Sequence, residues 1–138
     1  MPKAFKDKNS EEWFFPAESY ILSETDDKGI ILYANKIFYD IAGYTPNELE
    51  GQPHNVIRHP DMPRIAFKGL WDDIQSKGFW TGTVKNLRKD GGYYWVQATV
   101  LRKVNSDGKV TYLSIRRNPD RNRVEECIPL YAKLKGSE

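Results

Sequence analysis

The sequence has only one cysteine, Cys127, among 138 residues. A single cysteine excludes an internal disulfide and any metal site built from several cysteines, and it favours a reducing, intracellular environment. Long apolar stretches are also missing, since the longest runs have four or five residues, as at 30–34. We therefore expect neither a membrane span nor the core of a signal peptide.

Signatures of catalysis are missing as well. The sequence contains no glycine-rich phosphate loop, no GxGxxG motif between a strand and a helix, and no convincing pairing of a nucleophile with a base. The two histidines, His54 and His59, could complete a metal site only with distant carboxylates. We therefore expect neither an enzyme nor a metalloprotein.

What the sequence does contain is typical of one globular domain: 39% hydrophobic, 29% charged and 13% aromatic residues. The net charge of +2 hides a division, because residues 11–50 carry a net charge of −7 and residues 85–123 a net charge of +7. Two interpretations are open. The halves face each other or are simply solvated, or the molecule is dipolar with one basic docking face.

Local patterns predict strands at both ends and helices between them. Two short apolar runs at 20–25 and 29–34 flank a turn at 26–29, which predicts a hairpin. Asn35 and Thr45 are typical helix N-caps, and Glu48 completes a capping box. Residues 51–60 contain two prolines and should be irregular. Asp61 is then expected to cap a third helix that ends at Gly78.

Three further strands are predicted at 79–88, 93–104 and 110–117, with turns at 89–92 and 105–108. Residues 120–135 are expected to be helical, with a kink or break at Pro129. This order predicts an α+β fold in which helices pack on one face of an antiparallel sheet. A space between the two layers is a natural ligand pocket.

The element order and several motifs together resemble the PAS family. The motifs are GIILYAN at 29–35, FYDIAGYTPNELEGQ at 38–52 and KDGGYYWV at 89–96. The resemblance covers residues 20–118 and implies a PAS fold with a five-stranded antiparallel sheet and short helices on one face. The chain then divides into an N-terminal cap (1–19), a PAS sensory domain (20–118) and a C-terminal helical extension (119–138).

A narrower resemblance points to one subfamily. GQPHNVIRHPDMP at 51–63, AFKGLW at 66–71 and WTGTVKN at 80–86 are similar to the PAS domain of aerotaxis (energy-taxis) receptors. That resemblance implies noncovalent binding of FAD, whose redox state a chemotaxis signalling module reads. The flavin-contact candidates it implies are Asn35, Arg58, His59, Asp61, Phe67, Trp71, Trp80 and Asn86.

The chemistry of these residues is compatible with flavin binding, although each of them could instead have a purely structural role. Trp80 and Asn86 lie six residues apart on one strand and so share a face, where Gly82 would leave room for a flat ligand. Arg58 can grip a diphosphate, which favours FAD over FMN, but it could instead form a surface salt bridge. Phe67 and Trp71 are neighbours on one helix, a spacing that ordinary core packing also explains.

Other candidates have structural alternatives too. Asn35 and Asp61 could be helix caps only, and His59 could be a loop histidine or, in a haem protein, an axial ligand. Along the strand at 93–104, we expect the face with Tyr94 to border the ligand and the face with Trp95 to be an exposed association surface. The opposite assignment, with Trp95 in the core, remains open.

The resemblance implies a cytoplasmic bacterial redox sensor, membrane-associated through a partner. That partner is a membrane-bound chemotaxis transducer, and a homodimer or hetero-association would form through the sheet face or the N-terminal cap. We expect a stand-alone PAS protein rather than an excised receptor domain, with no nucleic-acid binding and no insertion into the membrane. The alternatives are a cofactor-free interaction module and a haem-binding gas sensor. A light-sensing flavin adduct is disfavoured, because Cys127 lies near the C-terminal helix.

Overall fold

A computed structural model describes residues 4–7 and 10–138 of the chain. Within these ranges, seven strands and four α-helices follow one another in the order β1–β4, α1–α3, β5–β7, α4. The strands are β1 (Phe5–Lys6), β2 (Trp13–Phe14), β3 (Ile21–Asp26), β4 (Ile31–Ala34), β5 (Phe79–Leu87), β6 (Tyr93–Val104) and β7 (Val110–Arg117). The α-helices are α1 (Lys36–Ala42), α2 (Pro46–Leu49), α3 (Arg64–Lys77) and α4 (Arg121–Gly136), and a 3-10 turn spans His54–Ile57.

Five of the strands form one antiparallel sheet with the order β4-β3-β7-β6-β5. The predicted α+β fold is therefore confirmed. The hairpin turns fall at the predicted positions, and Gly29 adopts a φ of 84°, which its lack of a Cβ permits without strain. The first hairpin, formed by β3 and β4, is continued by β7, so the chain's opening and closing strands lie side by side.

The helix boundaries show where the local signals are sufficient. Asn35 caps α1, and Thr45 and Glu48 form the predicted capping box at α2. Asp61 does not cap α3, so that prediction is wrong: the cap position is Pro63, and the side chain that bonds to the first turn is Glu138, which accepts from the backbone N–H of Arg64. The helix ends as predicted, at Gly78. Helix α4 is continuous through Pro129 rather than broken there.

The alternation along β6 divides the sheet into two faces. Tyr94, Val96 and Ala98 are buried on the inner face, which packs beneath the short helices. Trp95 points to the outer face, as predicted, but it is only 5% exposed, because α4 covers it. The expectation of an exposed indole is therefore wrong: Tyr131 of α4 stacks on the Trp95 ring with centroids 6.3 Å apart.

The segment that precedes the sheet packs back on it. Phe15 is buried in the main core, and the Arg88 guanidinium carbon lies 3.6 Å from the centroid of a Trp13 ring. The buried Glu12 carboxylate receives two hydrogen bonds from Arg121 at the start of α4, at 2.7 and 3.0 Å. Asn118 also donates to the carbonyl of Phe15. The N-terminal segment and the last helix are thereby joined.

Candidate ligand cavity between the helices and the sheet

A cavity of about 310 Å³ lies between α3, the 3-10 turn and the inner face of the sheet. Its walls are mostly apolar, with a few convergent polar groups, which is the composition of small-molecule sites. Its sheet side is formed by the alternating inner residues of β5, β6 and β7. These are Trp80, Val84, Asn86, Val96, Ala98, Val100, Tyr112, Ser114 and Arg116.

Five of the eight candidates from the sequence line this cavity: Arg58, Phe67, Trp71, Trp80 and Asn86. The guanidinium carbon of Arg58 lies 3.7 Å from the centroid of the Phe67 ring, so the cation rests on an aromatic wall. Burial lowers the pKa of Arg58, which shows that its charge is partly desolvated. Trp71 packs edge-on against Tyr112 at 5.3 Å between centroids and remains 41% exposed.

The other three candidates do not line the cavity. The side-chain oxygen of Asn35 accepts hydrogen bonds from the backbone N–H groups of Leu22 and Phe38, so it joins β3 to the start of α1. His59 accepts a hydrogen bond from the backbone N–H of Asp61 at 3.0 Å. Both side chains are therefore engaged by backbone N–H groups outside the cavity lining.

The Asp61 carboxylate is engaged by the sheet. It accepts a hydrogen bond from Lys85 Nζ of β5 at 2.8 Å, and this bond holds the pKa of Asp61 below its usual value. Burial together with the nearby Lys85 charge lowers the pKa of His59. The ion pair pins the loop that follows Arg58 to the edge strand.

The indole of Trp80 lies against Gly82, where the missing side chain leaves room for it. A Cβ placed at Gly82 would overlap the Trp80 indole ring. The space that Gly82 leaves is therefore filled by Trp80, and the expectation that it would admit a ligand is wrong. The glycine instead lets the indole lie flat along β5 as a wall of the cavity.

Sequence reasoning missed Arg116, the charged group on the sheet side of the cavity. Arg116 is 2% exposed, and its guanidinium donates to Ser23 Oγ and lies 4.6 Å from the centroid of the Phe38 ring. Within residues 4–7 and 10–138 it has no carboxylate partner, and its buried Nη1 has no hydrogen-bond partner at all. Burial lowers its pKa to about 10. Period-two alternation with the inner residues Tyr112 and Ser114 was the available signal.

His54 is the second residue that the sequence did not single out for the cavity. Its Nε2 lies 3.0 Å from Arg116 Nη2. Burial and then the charge of Arg116 lower the pKa of His54 well below its usual value. The imidazole is therefore neutral at pH 7, and because a guanidinium only donates, Nε2 accepts the bond. His54 thereby orients the arginine.

A five-stranded antiparallel sheet with short helices over one face and a cavity between the layers is the architecture of a PAS domain. A family model described as PAS fold matches residues 31–116. This chain belongs to the PAS family. The crystal structure of a PAS domain from Colwellia psychrerythraea superposes with a TM-score of 0.66 at 25% identity, covering 74% of this chain and 87% of that one.

Within the family, the predicted resemblance to the aerotaxis-receptor type is confirmed. The chain is 42% identical over 118 residues to the aerotaxis receptor of Escherichia coli (strain K12), which covers 85% of this chain and 23% of the receptor. It is 30% identical over 101 residues to a nitrogen fixation regulatory protein of Klebsiella oxytoca, covering 72% of this chain and 20% of the relative. The chain thus spans less than a quarter of the length of these curated relatives.

None of the helices in the described residues is long and apolar enough to cross a membrane. No group of three or more His, Cys, Asp or Glu side chains among them is placed to hold a metal ion.

Proposed function

We propose that this chain is a sensory domain that binds FAD noncovalently in the cavity and reports cellular redox or oxygen state to a chemotaxis transducer. The observation that carries the proposal is a cavity with aromatic walls and a buried, unpaired cation at its sheet side. A planar tricyclic ring with a polar edge matches such a space. The similarity to an aerotaxis receptor supports the same assignment.

The residues present fit an isoalloxazine ring. The indoles of Trp80 and Trp71 and the Phe67 ring offer faces and edges for stacking. Asn86, 4% exposed, has two donors and an acceptor for the polar edge of the ring. Arg116 Nη1 has a free donor, and a buried donor without a partner gains most from a ligand that supplies an acceptor.

Arg58 is proposed to bind the diphosphate of FAD, because its guanidinium is half-buried at the cavity and can make two parallel hydrogen bonds to phosphate oxygens. We propose an indirect role for Asn35, His59 and Asp61: they hold the segments around the cavity in place and do not contact the flavin. Asn35 fixes the start of α1, and the bond from Lys85 to Asp61 holds the loop that carries Arg58.

When bound, FAD would supply reversible electron uptake. The protein would respond because Asn86 and Arg116 interact differently with rings of different charge, and such a difference is needed for any shift between conformations. Both residues lie on strands of the sheet whose outer face α4 partly covers, so a shift in these strands would reach α4 and, through it, a partner. We propose a membrane-bound chemotaxis transducer as that partner, with the domain cytoplasmic and without catalytic activity of its own.

The first experiment is an absorption spectrum of the purified protein. Flavin bands support the proposal, a Soret band would show haem, and a colourless protein that takes up no added FAD would favour a cofactor-free interaction module.

Two substitutions then test the site. Trp80→Ala and Arg58→Ala should each reduce the flavin that copurifies. Phe79→Ala and Arg117→Ala, at exposed positions outside the cavity lining, are matched controls. Unchanged flavin content in both cavity variants would remove those residues from the site.

A further inference from the structure

The size of the cavity limits which part of a dinucleotide it can enclose. About 310 Å³ lies at the lower end of ligand pockets, which range from roughly 300 to 1,000 Å³. An isoalloxazine ring fits such a volume. The ribityl chain, two phosphates and adenosine of FAD do not fit beside it, so they must lie at the rim.

One rim of the cavity is formed by two backbone turns that are bonded to each other. The β3–β4 turn contributes Lys28 and Gly29, and the 3-10 turn contributes His54 and Asn55, with Arg58 directly after it. The backbone N–H of His54 donates to the carbonyl of Gly29 at 2.8 Å. Lys28 and Arg58 therefore line the same cavity from two segments that are bonded to each other.

Neither cation at this rim is in close contact with a carboxylate, although the charge of Glu138 acts on Arg58 from a longer distance. Across the described ranges 4–7 and 10–138, no ion pair involves Lys28 or Arg58. The carboxylate of Asp26 is engaged by backbone, accepting from the N–H groups of Lys28 at 2.8 Å and of Ile30 at 2.9 Å. These bonds fix the turn and leave the exposed ammonium group of Lys28 available to an anion.

We propose that Lys28 and Arg58 together form the diphosphate site at this rim, so that Lys28 helps the protein to discriminate FAD from flavins without phosphate. This inference rests on the proposed binding of FAD in the cavity. The half-buried Arg58 has a planar guanidinium that can donate two parallel hydrogen bonds, and the exposed Lys28 adds an ammonium charge facing solvent. A diphosphate, with charge on both phosphoryl groups, matches two cations better than one.

The test compares FAD and riboflavin, because riboflavin has the same ring and no phosphate. Dissociation constants are measured by flavin fluorescence for wild type, Lys28→Ala and Lys109→Ala. Lys109 is the matched control: it is an exposed lysine at the β6–β7 turn and does not line the cavity. We expect Lys28→Ala to weaken FAD binding about three- to fivefold at low salt, the range of an exposed charge pair, and less at high salt. Riboflavin binding should not change, and Lys109→Ala should affect neither ligand.

The outcomes separate this inference from the proposed function. If wild type binds both ligands and Lys28→Ala leaves FAD affinity unchanged, Lys28 has no part in the site and the inference is overturned. Equal weakening of FAD and riboflavin would also overturn it, since Lys28 would then act through the shape of the turn. If wild type binds neither ligand, the proposed function falls and the inference falls with it.

Discussion

Replacing Arg116 with methionine tests whether this buried cation serves the ligand or the fold. Burial lowers the pKa of Arg116 from 12.5 to about 10, which corresponds to about 3 kcal/mol against the charged form in the folded state. Its hydrogen bonds to Ser23 and His54 contribute about 1 kcal/mol each, and its contact with the Phe38 ring about 1 kcal/mol more. These opposing contributions nearly cancel.

We therefore expect Arg116→Met to change the free energy of unfolding of the ligand-free protein by less than about 1 kcal/mol, because methionine fills similar space without charge. Urea denaturation measures this quantity. Flavin affinity should fall by at least about tenfold, since a hydrogen bond from a charged donor contributes about 1.5–3 kcal/mol. Fluorescence titration with FAD measures it.

The matched control is Arg117→Met, at the next position of β7, where the side chain is exposed and points to the other face of the sheet. It should alter neither quantity. The reasoning is refuted if Arg116→Met destabilises the ligand-free protein by more than about 3 kcal/mol while FAD affinity is retained. Arg116 would then be a structural residue whose charge the fold itself satisfies.

Three other perturbations give separate readouts. The pKa of His54 is lowered to about 3, so the unfolded chain binds a proton below pH 6.5 that the folded protein does not. The stability that wild type loses between pH 6.5 and 4 should be reduced in His54→Asn, by up to about 1 kcal/mol per pH unit in urea melts; identical pH profiles would contradict this. Gly82→Ala should displace the Trp80 ring, which a shifted tryptophan emission spectrum and lower flavin content would reveal, whereas Thr81→Ala should not. Tyr131→Phe removes the hydrogen bond to the Thr83 carbonyl and should lower the free energy of unfolding by about 1 kcal/mol, with no change in flavin affinity.

Local chemistry was sufficient to predict most of the elements. Asn35, Thr45 and Glu48 cap helices because a side chain and the backbone N–H it accepts from lie within three residues. Gly29 and Gly78 mark turns because each adopts a positive φ. The prediction failed at Asp61, where an ion pair with Lys85, 24 positions away, takes the carboxylate that would have capped α3.

The candidate site was predictable on the strands and less so elsewhere. Alternation placed Trp80 and Asn86 on one face, and both line the cavity. Arg116 escaped notice because its environment depends on the pairing of β3 with β7 and on a turn 62 residues away that supplies His54. The covering of Trp95 by α4 is likewise a long-range contact that no local pattern encodes.

The pair of hydrogen bonds between Glu12 and Arg121 has a mechanical consequence. It ties the segment that enters the sheet to the helix that leaves it, through a Glu12 carboxylate that is 5% exposed and an Arg121 side chain that is half exposed. We therefore expect the two flanking segments to move together, so that a movement of the sheet that displaces one of them also displaces the other.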